Sequence, residues 1–126
     1  MSEITPYLCV TDARQAMDWY ARAFGATVTF DPIVMDDGRI GHTELTIDGA
    51  RFMLSDEFAE LGVTRPALDR GAAVTLHLTV EDVEAVTTRA VHEGARLDRG
   101  PEPGPDGQVA VLRDPYGHRW YLNGPA

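Results

Sequence analysis

A chain of 126 residues, 44% hydrophobic and 25% charged, is one globular domain's worth and can bury roughly two-thirds of its unfolded surface. Its net charge of −9 repels phosphate backbones and argues against a nucleic-acid partner. No apolar run reaches the length of a membrane span, Met1–Ile4 lacks the basic start of a signal peptide, and a single Cys9 excludes an internal disulfide framework; a cytoplasmic protein with no membrane partner is the expectation.

Residues 4–10 alternate, with Ile4, Pro6, Leu8 and Val10 against Thr5, Tyr7 and Cys9, and read as a strand. Asp12 follows as an N-cap with Gln15 three residues on. Ala13, Ala16, Met17, Tyr20 and Phe24 then recur at helical spacing up to a Gly25 stop. Three strand-like pieces come next, at 27–34, 39–47 and 50–55, joined by the turn signals Asp36–Gly38 and Asp48–Gly49. Residues 57–70 form the one long connection, with a helical turn expected around 58–61. The second half repeats the plan. Val74, Leu76, Leu78 and Val80 alternate with Thr75, His77 and Thr79. Asp82 caps a helix carrying Val83, Val86 and Ala90 and stopped by Gly94, and strands follow at 97–99, 109–113 and 118–123. The stretches 100–107 and 114–117 read as turns. The glycines of the first do not lead from a strand into a helix, so no dinucleotide fingerprint is present.

Gly49, Arg51, Phe52 and Leu54 return as Gly117, Arg119, Trp120 and Leu122, 68 residues on, and Val10–Asp12 returns as Val80–Asp82 at an offset of 70. The chain is therefore a tandem duplication: module one at 1–56, a linker at 57–71 and module two at 72–126 of a single domain. Overlaying the modules puts the apolar strand faces under the helices. It collects Thr5, Tyr7, Cys9, Arg51 and Met53 with Thr75, His77, Thr79, Arg119 and Tyr121 on the opposite faces, joined by His42 and Glu44 if Thr43, Leu45 and Ile47 face the core. The bodies of Tyr7, Met53 and Tyr121 suit a lined cavity better than open solvent.

The paired modules, ending in Asp114–Trp120 and carrying Asp12, Trp19, Tyr20 and Phe24–Ala26, resemble the vicinal oxygen chelate superfamily of glyoxalase I, extradiol dioxygenases and fosfomycin- and bleomycin-resistance proteins. Gly41–Leu45 followed by Phe52–Glu57 resembles its PhnB-like branch. The resemblance implies an α+β fold in which two tandem β-α-β-β-β modules form a curved mixed sheet around a cleft, helices on the outer face, in a homodimer. It also places the family's metal ligands at Thr5, Met53, Thr75 and Tyr121, none of them a good ligand for a divalent ion, so no cofactor is expected.

Two readings of function stand open. In the first, the chain is a metal-independent protein of the bleomycin-resistance type that sequesters an aromatic or cationic small molecule, with Tyr7, His42, Glu44, Arg51, Met53, His77 and Tyr121 as binding residues. In the second it is a lyase- or isomerase-type enzyme in which His42, Glu44 and His77 serve proton transfer or a displaced divalent metal. The bland account of the same residues pairs Glu44 with Arg51 or Arg119 and the histidines with tyrosines. Elsewhere, His92 suits a helix C-terminus, and His118 and Trp120 belong to the core side. Trp19 lies off the apolar stripe and suits a subunit contact, and Asp56 and Glu57 form a solvated strand end. Phe58 and Leu61 anchor the linker or cover the cleft.

Overall fold

The Asp12 carboxylate accepts the Gln15 backbone N–H at 3.1 Å and so opens helix α1, Ala13–Phe24. Gly25, at φ +71°, closes it: its N–H donates to the Ala21 carbonyl and the N–H of Ala26 to that of Tyr20, both at 3.1 Å. The computed structural model describes residues 1–126. Module one runs β1 (Tyr7–Val10), α1, β2 (Thr27–Val34), β3 (Ile40–Ile47) and β4 (Ala50–Asp56), followed by a 3₁₀ turn at Ala59–Leu61. Module two repeats it as β5 (Thr75–Thr79), α2 (Val83–His92), β6 (Arg96–Gly104), β7 (Gly107–Arg113) and β8 (Arg119–Gly124), with Asp82 accepting from Ala85 N–H at 3.0 Å to cap α2. Each module is an α+β unit with a four-stranded mixed sheet. The strand orders are β1-β4-β3-β2 and β5-β8-β7-β6, and the first pair in each is parallel.

The duplication is visible in the register. Tyr7 lies opposite Met53 and His77 opposite Tyr121, so the first and last strands of both modules meet in the same way. Leu8, Val10, Leu45, Ile47, Phe52 and Leu54 are buried in module one, and Leu78, Val109, Val111, Trp120 and Leu122 in module two. Thr43 is fully buried and donates to the Phe30 carbonyl at 2.7 Å, which fixes Leu45 and Ile47 inward and His42 and Glu44 on the other face. Neither helix is long and apolar enough to cross a membrane.

Four expectations change. Ile4 and Val74 are 95% and 68% exposed rather than core, because the parallel ladders begin only at Tyr7 and Thr75, and the bond from Met53 N–H to the Pro6 carbonyl at 2.8 Å does not reach back to Ile4. Strand β6 continues through Gly100–Gly104, which composition marks as a turn. It lies at the sheet edge, where Pro101 and Pro103 need donate nothing to a further strand, and register shifts absorb the irregularity. Trp19 is 3% exposed and packs edge-on against Tyr20 and Phe24, so it belongs to the core of module one and not to a subunit contact. Asp56 is not a solvated strand end. Its carboxylate accepts from Ala13 N–H at 2.7 Å and from Ile40 N–H at 2.6 Å.

The stretch 57–71 divides between two compact units, residues 1–65 and 66–126. Phe58 and Val63 form a β-bridge, and Arg39 stacks 4.0 Å over the Phe58 ring while its guanidinium meets Glu60 at 2.6 Å and the Glu57 carbonyl at 3.0 Å. On the other side, Arg113 donates to the carbonyls of Arg70 and Ala67.

Candidate functional site

On the face of the first sheet opposite α1, β1 presents Tyr7, β3 presents His42 and Glu44, and β4 presents Arg51 and Met53. Four of these five form one hydrogen-bonded chain. The Tyr7 hydroxyl lies 2.8 Å from both His42 Nδ1 and the Gly41 carbonyl, and His42 Nε2 lies 2.9 Å from Glu44 Oε2. Arg51 donates to Glu44 Oε1 at 2.8 Å, to Glu3 at 2.7 Å and to Thr5 at 3.2 Å. The proton bookkeeping follows from geometry. Glu44 can only accept, so Nε2 carries a proton. With a second proton on Nδ1, Tyr7 accepts from the ring and donates to Gly41; without it, the hydroxyl turns to donate to Nδ1.

The charges follow the same contacts. Hydrogen bonds from His42 and then Arg51 hold the Glu44 carboxyl below the usual glutamate range. Burial and the Glu44 charge push the Tyr7 phenol up, so its hydroxyl stays a donor. Phe30 and Tyr7 flank the His42 ring edge-on at 5.1 and 5.2 Å between centroids.

Tyr7 and His42 also form one wall of a cavity of about 580 Å³ within module one. Cys9, Ile33 and Met35 line it, and Phe58, Leu61 and Val63 from the following loop complete it. Phe58 is anchored as expected, by the Arg39 clamp, and its ring borders the cavity. Glu44, Arg51 and Met53 are not on this wall; Glu44 and Arg51 stand behind His42 and hold it. The Cys9 thiol is pushed up to about 11 by burial and then by the Glu57 and Asp56 charges. It is not an activated nucleophile.

Module two keeps His77 and Tyr121 together, with ring centroids 4.6 Å apart and tilted by 36°. Both border a second, more polar cavity of about 400 Å³ with Thr79, Gln108 and Asn123. His118 is half-buried, with its backbone N–H bonded to Asp114, and His92 ends α2 as expected. Sequence reasoning missed Ile33, Met35 and Val63. The signal for the first two is the apolar run 33–35 immediately before the Asp36–Gly38 turn, too close to a strand end to be assigned a face.

The donors present do not fit the divalent ion of this kind of fold. The positions to which the resemblance assigns the ligands hold Thr5, Met53, Thr75 and Tyr121, and Arg51 and Arg119 donate to the two threonines. His42 and Glu44 have their ring nitrogens and carboxylate oxygens engaged with Tyr7, each other and Arg51. No group of three or more His, Cys, Asp or Glu side chains is arranged to hold a metal ion.

Comparison with known proteins agrees with this architecture. The chain is 37% identical over 127 aligned positions to an uncharacterized protein of Mycobacterium tuberculosis (strain ATCC 25618 / H37Rv), Rv0887c, covering 97% of this chain and 74% of that protein. The crystal structure of TioX from Micromonospora sp. ML1 superposes with a TM-score of 0.73 at 24% identity, covering all of both chains. The PhnB protein of Bacillus cereus gives a TM-score of 0.70 at 22% identity, covering 97% of this chain and 98% of that one. Residues 3–122 match the family model, and the chain belongs to the Glyoxalase/Bleomycin resistance protein/Dioxygenase superfamily.

Proposed function

We propose that the protein is a metal-independent binder of the bleomycin-resistance type, which sequesters a cationic aromatic small molecule in the cavity of module one. The observation that carries this reading is the cavity itself: about 580 Å³, walled by Tyr7, Phe58, Met35 and other apolar side chains, with the Tyr7–His42 pair as its polar element. That volume and that lining are those of a small-molecule site, in which apolar walls supply affinity and a few fixed polar groups supply orientation. The ligand ring stacks on Tyr7 and Phe58. The preference for a cation rests on the net charge of −9 and on the carboxylates of Glu57 and Asp56, which add to burial in raising the Cys9 thiol at this wall. The binder acts in the cytoplasm as a homodimer. The edge strand β2 supports the dimer by leaving Val28, Phe30 and Val34 exposed along its length.

Thioflavin T, a cationic planar dye, tests this by fluorescence titration beside the anionic dye anilinonaphthalene sulfonate. The expected result is saturable 1:1 binding per chain of the cation, weakened at least tenfold by Phe58→Ala and hardly at all by Val91→Ala on the surface of α2. Equal binding of both dyes, or a cation affinity untouched by Phe58→Ala, overturns the reading.

A second reading is favoured by the Tyr7–His42–Glu44 chain: metal-free proton transfer with the Tyr7 hydroxyl as the group that meets substrate. A Tyr7→Phe protein cuts this relay and keeps the ring. Unchanged ligand affinity with lost turnover of the ligand marks an enzyme; no turnover in either protein marks the binder.

A further inference from the structure

The two modules treat one repeated arginine differently. In module one, Arg51 at the start of β4 bonds to Thr5 and is neutralised by two carboxylates, Glu44 at 2.8 Å and Glu3 at 2.7 Å. Its counterpart in module two is Arg119 at the start of β8, which keeps the threonine, Thr75, at 2.7 Å as its one side-chain hydrogen bond. Both acids are gone. Glu44 pairs across the ladder with Met53, and Val111 holds that place opposite Tyr121. The offset of 70 that carries Thr5 to Thr75 carries Glu3 to Ala73.

The space around Arg119 is a cavity of about 380 Å³ within module two that Arg70, Arg96 and Arg113 also line. Two aspartates share it, and both are taken: Asp98 pairs with Arg96 at 2.8 Å and Asp69 with Arg70 at 3.8 Å. Arg113 is 5% exposed and held by the carbonyls of Gly117, Arg70 and Ala67, with no carboxylate against its charge. Four guanidinium groups therefore face two carboxylates in an otherwise acidic protein. Buried and half-buried charge of one sign is stabilised by a counter-charge, and a planar guanidinium takes carboxylate or phosphate oxygens in pairs.

We propose that this cavity is an oxyanion site, in which a small molecule's carboxylate or phosphate binds Arg119 where the side chains of Glu44 and Glu3 bind Arg51. The site lies outside the cavity assigned to the cationic ligand and does not depend on that assignment. Arg119 is the principal contact; Arg113 supplies fixed positive potential and Thr75 orients the guanidinium.

The test is an NMR titration of the full chain, ¹⁵N-labelled, following the arginine Nε–Hε signals. Inorganic phosphate and succinate are added in separate series at pH 7, with sodium chloride holding the ionic strength constant. A saturable shift of the Arg119 signal is expected. Saturation by phosphate alone assigns a phosphate ligand, and saturation by succinate alone a carboxylate. Ala73→Glu, a change at an exposed position that restores the missing acid, weakens that binding at least tenfold, and Arg119→Gln, followed on the Arg113 signal of the same cavity, does the same. A response to both anions that matches sodium chloride, or a dissociation constant unchanged in Ala73→Glu, overturns the proposal.

Discussion

Glu44 holds three neighbours in one arrangement: through one oxygen it receives Arg51 and through the other it fixes His42, which in turn meets Tyr7. Because its native ionisation lies below the ordinary value of about 4.3, folding favours the charged form. The sign follows. This carboxylate contributes stability that is fully present above the unfolded value and is lost as the pH falls through the lowered native value. Thermal unfolding of the native chain and of Glu44→Gln from pH 7 down to pH 2.5 should therefore show a gap in midpoint that is widest above about pH 5 and closes toward the acid end. A gap independent of pH assigns the loss to shape rather than charge. Cys9 carries a second residue-scale expectation. With its thiol near 11, the thiolate fraction at pH 8 is about 100-fold below that of an ordinary cysteine. Alkylation by iodoacetamide should slow accordingly in the native protein and recover in urea.

Among the elements, α1, β3 and β4 are joined at one point by a side chain. The Asp56 carboxylate, at the end of β4, caps the Ala13 N–H of α1 and the Ile40 N–H of β3. Removing it leaves two backbone donors without their acceptor, and each such donor costs about 1–3 kcal/mol when water does not replace the partner. Asp56→Ala should lose about 2–4 kcal/mol in urea unfolding, whereas Asp12→Ala, which removes one exposed cap, should lose about 1 kcal/mol. Nothing in the sequence marks Asp56 for this role, because its partners are 43 and 16 residues away and an acid at a strand end reads as solvated. The elements themselves were legible. Asp12 and Asp82 as caps, Gly25 as a stop and the alternation in β1 and β5 report local chemistry that survives folding. Trp19 was not, since periodicity gives the centre of a buried helical arc but not its width, and in α1 that arc takes in Ala13, Ala16, Trp19, Tyr20, Ala23 and Phe24. The Glu44–Arg51 and His42–Tyr7 pairs were legible because strand alternation puts them on one face. The cavity beside them was not, because it depends on how the Phe58–Val63 loop folds back.

For the whole molecule, the duplication explains why a fold could be read from one chain: two copies constrain each other's faces, and a residue's twin shows which features belong to the scaffold. It also locates the connection that the repeat itself does not describe. Residues 66–70 belong to the second unit because Arg113, at the end of β7, reaches their carbonyls at Ala67 and Arg70 as well as that of Gly117. Gly117 packs against the same segment; a Cβ there would come 2.9 Å from the Pro66 carbonyl oxygen. In Arg113→Leu the apolar stem is kept, the three carbonyls lose their donor, and the segment detaches while both sheets keep their ladders. Limited trypsin digestion reads this directly at the Arg70–Gly71 bond that ends the segment; the Arg65–Pro66 bond at its start resists trypsin. The variant should be cut there at least tenfold faster than the native chain, giving two fragments each about half the chain in length, and should unfold in urea with a stability lower by about 3 kcal/mol. Digestion scattered over both sheets would mean instead that Arg113 holds up module two as a whole, and that the connection owes its order to Gly117 and its neighbours.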